Sequence, residues 1–359
     1  MARPDLRANN FDLLRLLFAS AVFFWHVHVL SRVPALEALG RVFSADIAVK
    51  GFFVISGYLV MMSWENSAGA RDYAGKRLRR IYPAYAAVVL ACALAGAFLS
   101  SLPPSEYFLS GGFARYLAAN LAFLNFLAPS LPGLFGGQPF AEVNGALWTL
   151  KIEVMYYALV PALAWLLARF GRGRTLIALY LLAALYSLVL GELHARSGAM
   201  IWLQLQRQLP GQLGYFLVGV GLYLVRERLE GRWPALLAAA LAIFALLALT
   251  ASPAALVLLQ PLMLGILVIY AAVRLPHLGN FARFGDLSYG VYILHFPVIQ
   301  ALVAAGLFAA APWTAFGVAA ALVALLALAS WHWVEKPFLA SRSHYRRAEA
   351  SALRRAEGT

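Results

Sequence analysis

The chain has 359 residues, of which 62% are hydrophobic and only 13% are charged, and its formal net charge is +13. Soluble globular domains carry about 25% charged residues, whereas the apolar residues here come in runs of roughly 20, long enough to cross about 30 Å of hydrocarbon as a helix. This pattern excludes an ordinary soluble protein, and a transmembrane β-barrel would need alternation instead. The single cysteine, Cys92, excludes an intrachain disulfide and a cysteine-rich metal site. We therefore predict an all-α, polytopic membrane protein.

Ten apolar runs predict ten transmembrane helices. The first run is too long for a signal-peptide core, and we expect it to be a permanent span. The ten spans form a predicted transmembrane domain over residues 1–338, followed by a basic cytoplasmic tail over residues 339–359. The predicted spans cover residues 11–30, 46–64, 81–101, 145–168, 175–191, 210–226, 234–250, 254–273, 287–308 and 313–334.

The basic residues predict the orientation of these spans. If the N-terminus is cytoplasmic, 21 of the 29 Lys and Arg residues fall in inner segments and 5 in outer loops. This bias follows the positive-inside rule and places both termini in the cytoplasm. It also explains most of the positive charge without a nucleic-acid partner.

One further stretch, residues 113–127, is apolar but short. If it crossed the membrane, all later loops would exchange sides and most of their arginines would lie outside. We therefore predict an interfacial or re-entrant helix within a long outer loop, 102–144. Outer loops of this length are usually functional or mobile.

The first span carries ionisable residues, which cost several kcal/mol in hydrocarbon and normally face a bundle interior or a wet cavity. Arg15 and His26 are eleven residues apart, about three turns plus 20°, so they share one face with roughly 16 Å between them along the axis. His28 points elsewhere, and Asp12 can pair with Arg15. The alternative is that the histidines merely cap carbonyl groups or extend toward the surface.

A carboxylate in the fourth span lies at a similar predicted depth to His26. Glu153 is about eight residues, or roughly 12 Å, below the outer surface. A carboxylate beside an imidazole raises its basicity and fixes its tautomer, as in a general base. The alternative is a structural His–Glu bridge between helices.

A group of polar residues in the ninth span can form hydrogen bonds. Ser288, Tyr292 and His295 follow an i, i+4, i+7 spacing on one face of the ninth span; we call them the polar stripe. They indicate either interhelical hydrogen bonds or contacts to a ligand.

Just before the third span lies the arginine cluster, Arg77, Arg79 and Arg80. It is either an ordinary positive-inside anchor or a clamp for phosphate groups, whose oxygens match the guanidinium fork.

Six pieces of the sequence resemble the acyltransferase family 3 membrane proteins, bacterial enzymes that modify cell-surface glycans. They are Arg15 and His26 with ten residues between them, then KGFFVISGYLV, RLRRIYPAY, ALWTLKIEVMYY, LSYGVYILHFPV and WVEKPF. No single piece is specific, but all six occur in the right order between residues 9 and 338.

The resemblance implies a ten-helix core in the bacterial inner membrane, without the outer hydrolase-like domain that some members add. It implies acyl-CoA, usually acetyl-CoA, as the donor, no metal, and a carbohydrate hydroxyl as the acceptor. The essential Arg and His of the family map to Arg15 and His26, its inner arginine pair to Arg77 and Arg80, and its acidic residue to Glu153.

These expectations combine into a membrane O-acyltransferase that uses cytoplasmic acyl-CoA and a surface or lipid-linked carbohydrate. The arginine cluster would bind the CoA phosphates, and the thioester would pass Arg15 to reach His26. Supported by Glu153, His26 would deprotonate the sugar hydroxyl; a covalent acyl-His intermediate is the second possibility. The polar stripe would bind the donor or the developing oxyanion.

A proton-coupled transporter or flippase is the alternative function. Ten spans, buried charges and a His–Glu pair would suit it, but the sequence shows no inverted repeat. The identity of the acceptor, an acyl group other than acetyl, and the oligomeric state stay open at this point.

Overall fold

A computed structural model describes residues 9–250, 252–279 and 285–339, so the predicted basic tail lies outside the described residues except for its first position. Every regular element in these ranges is helical. The α-helices are α1 Phe11–Ser31, α2 Glu37–Val42, α3 Ala45–Glu65, α4 Ala70–Leu99, α5 Pro104–Leu109, α6 Gly111–Leu121, α7 Trp148–Phe170, α8 Arg172–Ser197, α9 Met200–Gln206, α10 Leu209–Val225, α11 Trp233–Thr250, α12 Pro253–Val273, α13 Leu287–Ala304, α14 Leu307–Ala310, α15 Pro312–Ala329 and α16 Lys336–Phe338.

Ten stretches of helix in the described ranges are long and apolar enough to cross a membrane, which confirms the predicted number of spans. Their bounds follow the predicted ones closely with two exceptions: α4 begins at Ala70 rather than at residue 81, and α8 ends at Ser197 rather than at residue 191. The turns added to α4 are rich in Arg, Lys and Ala, which are strong helix formers. Large apolar side chains such as Phe98 and Trp333 are 90% and 81% exposed, as expected of helices surrounded by lipid.

The short apolar stretch over residues 113–127 begins within a short helix, α6, as predicted. α6 has 11 residues, so it is only about 16 Å long and too short to cross about 30 Å of hydrocarbon. Ser110 caps it by accepting a hydrogen bond from the backbone N–H of Phe113 at 3.1 Å.

The described residues divide into two compact units. The first contains residues 9–14, 49–74, 152–250 and 252–278. Inside it α3 and α10 pack backbone to backbone, because a side chain at Gly57 would collide with the carbonyl of Phe216 and one at Gly219 with that of Val54. The expectation that Gly57 permits close helix packing is confirmed.

The second unit contains residues 15–48, 75–151, 279 and 285–339. Within it Tyr107 anchors the loop 102–144 onto α4, since its hydroxyl donates to the carbonyl of Ala93 at 2.8 Å. Burial raises the pKa of Tyr107 to about 12, so the phenol stays protonated and able to donate at neutral pH.

In the second unit, residues 138–144 run antiparallel to α13. Gln138 donates to the carbonyl of Gln300 at 3.2 Å, and Asn144 donates to the carbonyl of Ile293 at 2.8 Å. The end of the loop 102–144 is thereby fastened along the second half of α13.

Candidate active site

The first residue of interest is Asp286, which caps α13. Its carboxylate accepts hydrogen bonds from the backbone N–H of Ser288 at 3.1 Å and from the Ser288 hydroxyl. A carboxylate at this position satisfies an N–H group of the first turn and interacts favourably with the positive end of the helix dipole. Its side chain is only 2% exposed.

The same carboxylate binds two arginines from other helices. Oδ2 of Asp286 forms an ion pair with Arg15 of α1 at 2.5 Å and another with Arg80 of α4. Glu335 approaches Arg80 at 3.8 Å and accepts a hydrogen bond from Ser330 at 3.0 Å. We call Arg15, Arg80, Asp286 and Glu335 the ion cluster; its two positive and two negative charges balance.

A pair of histidines lies further along α1 and α13. Nε2 of His295 is 3.0 Å from Nδ1 of His26. The His26 Nδ1 is also 2.9 Å from the carbonyl oxygen of Val22, and the His295 Nδ1 is 3.1 Å from that of Val291. His295 is fully buried.

These contacts determine the tautomers of the neutral pair. A carbonyl oxygen only accepts hydrogen bonds, so Nδ1 of each histidine carries the hydrogen. The Nδ1–H of His26 is then shared between the Val22 carbonyl oxygen and Nε2 of His295, and Nε2 of His26 carries a lone pair. When His26 gains a proton at Nε2, its Nδ1–H still donates to His295, so the imidazolium keeps its partner.

Aromatic rings surround the His26 imidazole. Trp25 and Phe296 pack edge to face with it, with ring centroids 5.0 and 5.3 Å away. Phe296 in turn lies against Gly145, where a side chain would collide with the ring. His28 lies against Gly40 instead, which confirms that it shares no face with His26.

The polar stripe is buried, as its spacing predicts, but each member has a different partner. Ser288 binds Asp286, His295 binds His26, and the Tyr292 and Thr149 oxygens are 2.6 Å apart. Thr149 donates its own proton to the carbonyl of Ala146, so the Tyr292 hydroxyl donates to Thr149. The predicted role of Tyr292 at an oxyanion needs that bond to break.

Only one member of the arginine cluster belongs to the ion cluster. Arg80 turns inward to Asp286, whereas Arg77, one turn earlier on α4, is partly exposed and Arg79 is exposed. The assignment of these arginines to phosphate binding stays a prediction.

Glu153 lies in the first unit, where its Oε1 accepts a hydrogen bond from Ser56 at 2.7 Å. His26 lies in the second unit, where His295 is its side-chain partner. The pairing of Glu153 with His26 therefore stays a prediction.

Sequence reasoning missed two carboxylates of the ion cluster. Asp286 directly precedes the LSYGVYILHFPV stretch, and an Asp just before an apolar helical run is a helix-start signal. Glu335 lies within the WVEKPF piece. Both signals depend only on neighbouring residues. The contacts with the arginines could not be predicted, because the arginines come from distant parts of the chain.

Comparisons with known proteins identify the family of this chain. A family described as an acyltransferase domain, acyltransferase 3, matches residues 9–332. The chain belongs to this acyltransferase family. It is therefore a multi-pass membrane acyltransferase, and the match spans Arg15, His26, Arg80, Asp286 and His295. No solved structure matches the chain.

Three curated relatives match nearly their whole length. Nodulation protein 10 of Rhizobium leguminosarum bv. viciae is 29% identical over 93% of this chain and 94% of its own. The O-acetyl transferase of Shigella phage Sf6 is 28% identical over 94% and 98%. The exopolysaccharide production protein ExoZ of Rhizobium meliloti (strain 1021) is 30% identical over 90% and 98%.

Proposed function

We propose that this acyltransferase moves an acetyl or other short acyl group from acyl-CoA to a hydroxyl of a surface or lipid-linked carbohydrate. The observation that carries the proposal is the His26–His295 pair, which leaves the lone pair of His26 Nε2 as the basic atom. The names of the relatives, an O-acetyl transferase and an exopolysaccharide production protein, support an oxygen acceptor on a carbohydrate.

In the proposed reaction His26 acts as a general base. Nε2 of His26 takes the proton of the acceptor hydroxyl, whose oxygen attacks the thioester carbonyl carbon. The C–S bond breaks, and the CoA thiolate takes the proton from His26 and leaves as the thiol. His295 accepts the Nδ1–H bond throughout and holds the ring as the charge develops.

A covalent route uses the same lone pair. Nε2 of His26 would attack the thioester carbonyl carbon, and the C–S bond would break to give an acyl-imidazolium and the CoA thiolate. The acceptor oxygen would then attack the acyl carbon, the bond to Nε2 would break, and the proton of the acceptor hydroxyl would neutralise the thiolate. A burst of CoA release in the absence of acceptor, equal in amount to the enzyme, distinguishes this route from direct transfer.

We propose that the donor binds on the side of the membrane where the ion cluster lies. Arg15 and Arg80 lie there, and the more exposed Arg77 and Arg79 lie on the same helix as Arg80. The excess of basic residues in the segments on this side supports a cytoplasmic location for the donor. It also supports an orientation in the bacterial inner membrane with both termini in the cytoplasm.

Glu153 is retained as the predicted electrostatic support of His26, alongside His295. The family match favours acyl transfer over the transporter alternative, since the match covers residues 9–332.

The test uses purified protein in lipid nanodiscs with acetyl-CoA labelled in the acetyl group. Wild-type protein is expected to transfer label to glycan from a strain that lacks the gene. His26→Ala is expected to lower the transfer rate by a factor of about 10²–10⁴, the usual contribution of a general base, at unchanged yield and membrane insertion. His28→Ala is the matched control on the same helix. Full activity of His26→Ala would refute the mechanism.

A further inference from the structure

The second unit contains an open cavity of about 650 Å³ at the C-terminal end of α13. Its walls come from the end of α4, the glycine-rich segment 133–139, and Val303 and Ala304 of α13. The volume falls within the range of about 300–1,000 Å³ that is usual for small-molecule sites. We propose that this cavity binds the uncharged sugar portion of the acceptor; the inference rests on the function proposed above.

The lining of the cavity does not suit acyl-CoA, the other substrate. Every residue that lines the cavity is uncharged, and the multiply charged phosphates of acyl-CoA would need arginine or lysine partners. The arginines of the ion cluster lie at the other end of α13, where Asp286 begins the helix. A neutral, hydroxyl-bearing ligand fits the cavity better than an anionic one.

The cavity offers the mixture of groups that a sugar requires. Phe135 and Leu134 provide apolar surface for the C–H face of a sugar ring, and Ser101 provides a hydroxyl. At Gly136 and Gly137 an added side chain would meet nothing within 4 Å, so the backbone there is open to a ligand.

Two buried amide oxygens, one of them on a residue that lines the cavity, lack a protein donor among the described residues. Oε1 of Gln138, which lines the cavity, is buried without a hydrogen-bond partner, and so is Oε1 of Gln300. The orientation of both amides is determined, because each Nε2 donates to backbone carbonyls. A buried acceptor without a donor costs about 1–3 kcal/mol. Because the Gln138 side chain lines the cavity, a rotation that turns Oε1 toward the cavity would let a sugar hydroxyl supply the donor.

The cavity is connected to the histidine pair by one helix. Val303 is eight residues beyond His295 on α13, or about 12 Å along the axis. The segment from Gln138 to Gly145 follows the helix over this distance and ends against Phe296, which packs on His26. A sugar held in the cavity therefore lies within a few sugar rings of the proposed base.

The test fills the cavity without touching the histidines. Gly137→Trp places an indole in the open space, and Gly111→Trp is the matched control, because Gly111 is also open, lies in the same loop and does not line the cavity. Gly136→Trp replaces the first variant if its yield falls. Gln138→Leu keeps the size of the side chain but removes the acceptor oxygen, together with the Nε2 hydrogen bond to the Gln300 carbonyl.

The assay uses acetyl-labelled acetyl-CoA, with the acceptor taken from a strain that lacks the gene. Two acceptor fractions are compared, lipid-extractable glycan and water-soluble polysaccharide, which distinguishes a lipid-linked from a free sugar. Gly137→Trp is expected to lower kcat/KM for the active fraction at least tenfold, and Gln138→Leu about fivefold. The KM for acetyl-CoA should stay within twofold, and Gly111→Trp should match wild type.

The outcomes separate the site from the function. If wild type transfers label and Gly137→Trp does so with an unchanged acceptor KM, the cavity is not the acceptor site, although the proposed function stands. If wild type transfers no label to either fraction, the proposed function fails and the site with it. A rise in the KM for acetyl-CoA in Gly137→Trp would assign the cavity to the donor instead.

Discussion

The two ends of α13 are built from different chemistry. At its start, Asp286 gathers Arg15 and Arg80, with Glu335 nearby, into a charged and mostly buried cluster. At its other end, uncharged side chains and glycine backbone line an open cavity. The His26–His295 pair lies between them. Under the proposed function, this difference lets one helix keep an anionic donor apart from a neutral acceptor while both approach one base.

Removing the carboxylate at the charged end of α13 is expected to have the largest effect on stability and activity. Asp286→Ala removes the carboxylate that contacts both arginines, whose side chains are 19% and 14% exposed. Removing one partner from a buried ion pair costs about 3–5 kcal/mol. We expect a large fall in the midpoint of thermal unfolding in detergent and no measurable acyl transfer.

A carboxylate of an exposed ion pair provides the control for this variant. Glu192 pairs with Arg196 at 2.6 Å, and their side chains are 58% and 75% exposed. Such surface pairs contribute about 0–1 kcal/mol, so Glu192→Ala should unfold close to wild type. Equal unfolding midpoints for the Asp286 and Glu192 variants would show that the ion cluster does not stabilise this end.

The middle of α13 is tested at His295. His295→Leu removes one of the two acceptors of the His26 Nδ1–H and leaves the Val22 carbonyl oxygen as the other. A hydrogen bond to a charged group contributes about 1.5–3 kcal/mol. We therefore expect kcat to fall about 10- to 100-fold, with the KM values for both substrates nearly unchanged.

Two companion variants separate positioning from packing. His295→Gln offers an amide oxygen in place of the ring nitrogen and should recover part of kcat. Tyr292→Phe removes the hydroxyl that bonds to Thr149 and should change kcat less than threefold. If the Leu and Gln variants lose the same activity, His295 has no specific role as an acceptor.

The local features of this molecule could be predicted from sequence, and the tertiary contacts could not. Ten runs of about 20 apolar residues are a local signal, so the spans were found. The shared face of Arg15 and His26 follows from helical phase alone. That His295 contacts the Nδ1 of His26 depends on which helices pack together, and periodicity does not encode this. The role of Asp286 was missed for the same reason.

The smallest effect is expected from the arginines outside the ion cluster. Substituting them tests whether the donor-binding surface extends along α4 beyond Arg80. Arg77 lies one turn before Arg80 on nearly the same face of α4 and is partly exposed, while Arg79 is exposed and points about 200° away from Arg77. If phosphate binding extends from the ion cluster along this face, Arg77→Ala removes one charge-assisted bond and raises the KM for acetyl-CoA about tenfold. Arg79→Ala should raise it less than threefold. Equal effects of the two variants would mean that the arginines attract the donor only through their net charge, and the effect of both should then disappear at high salt.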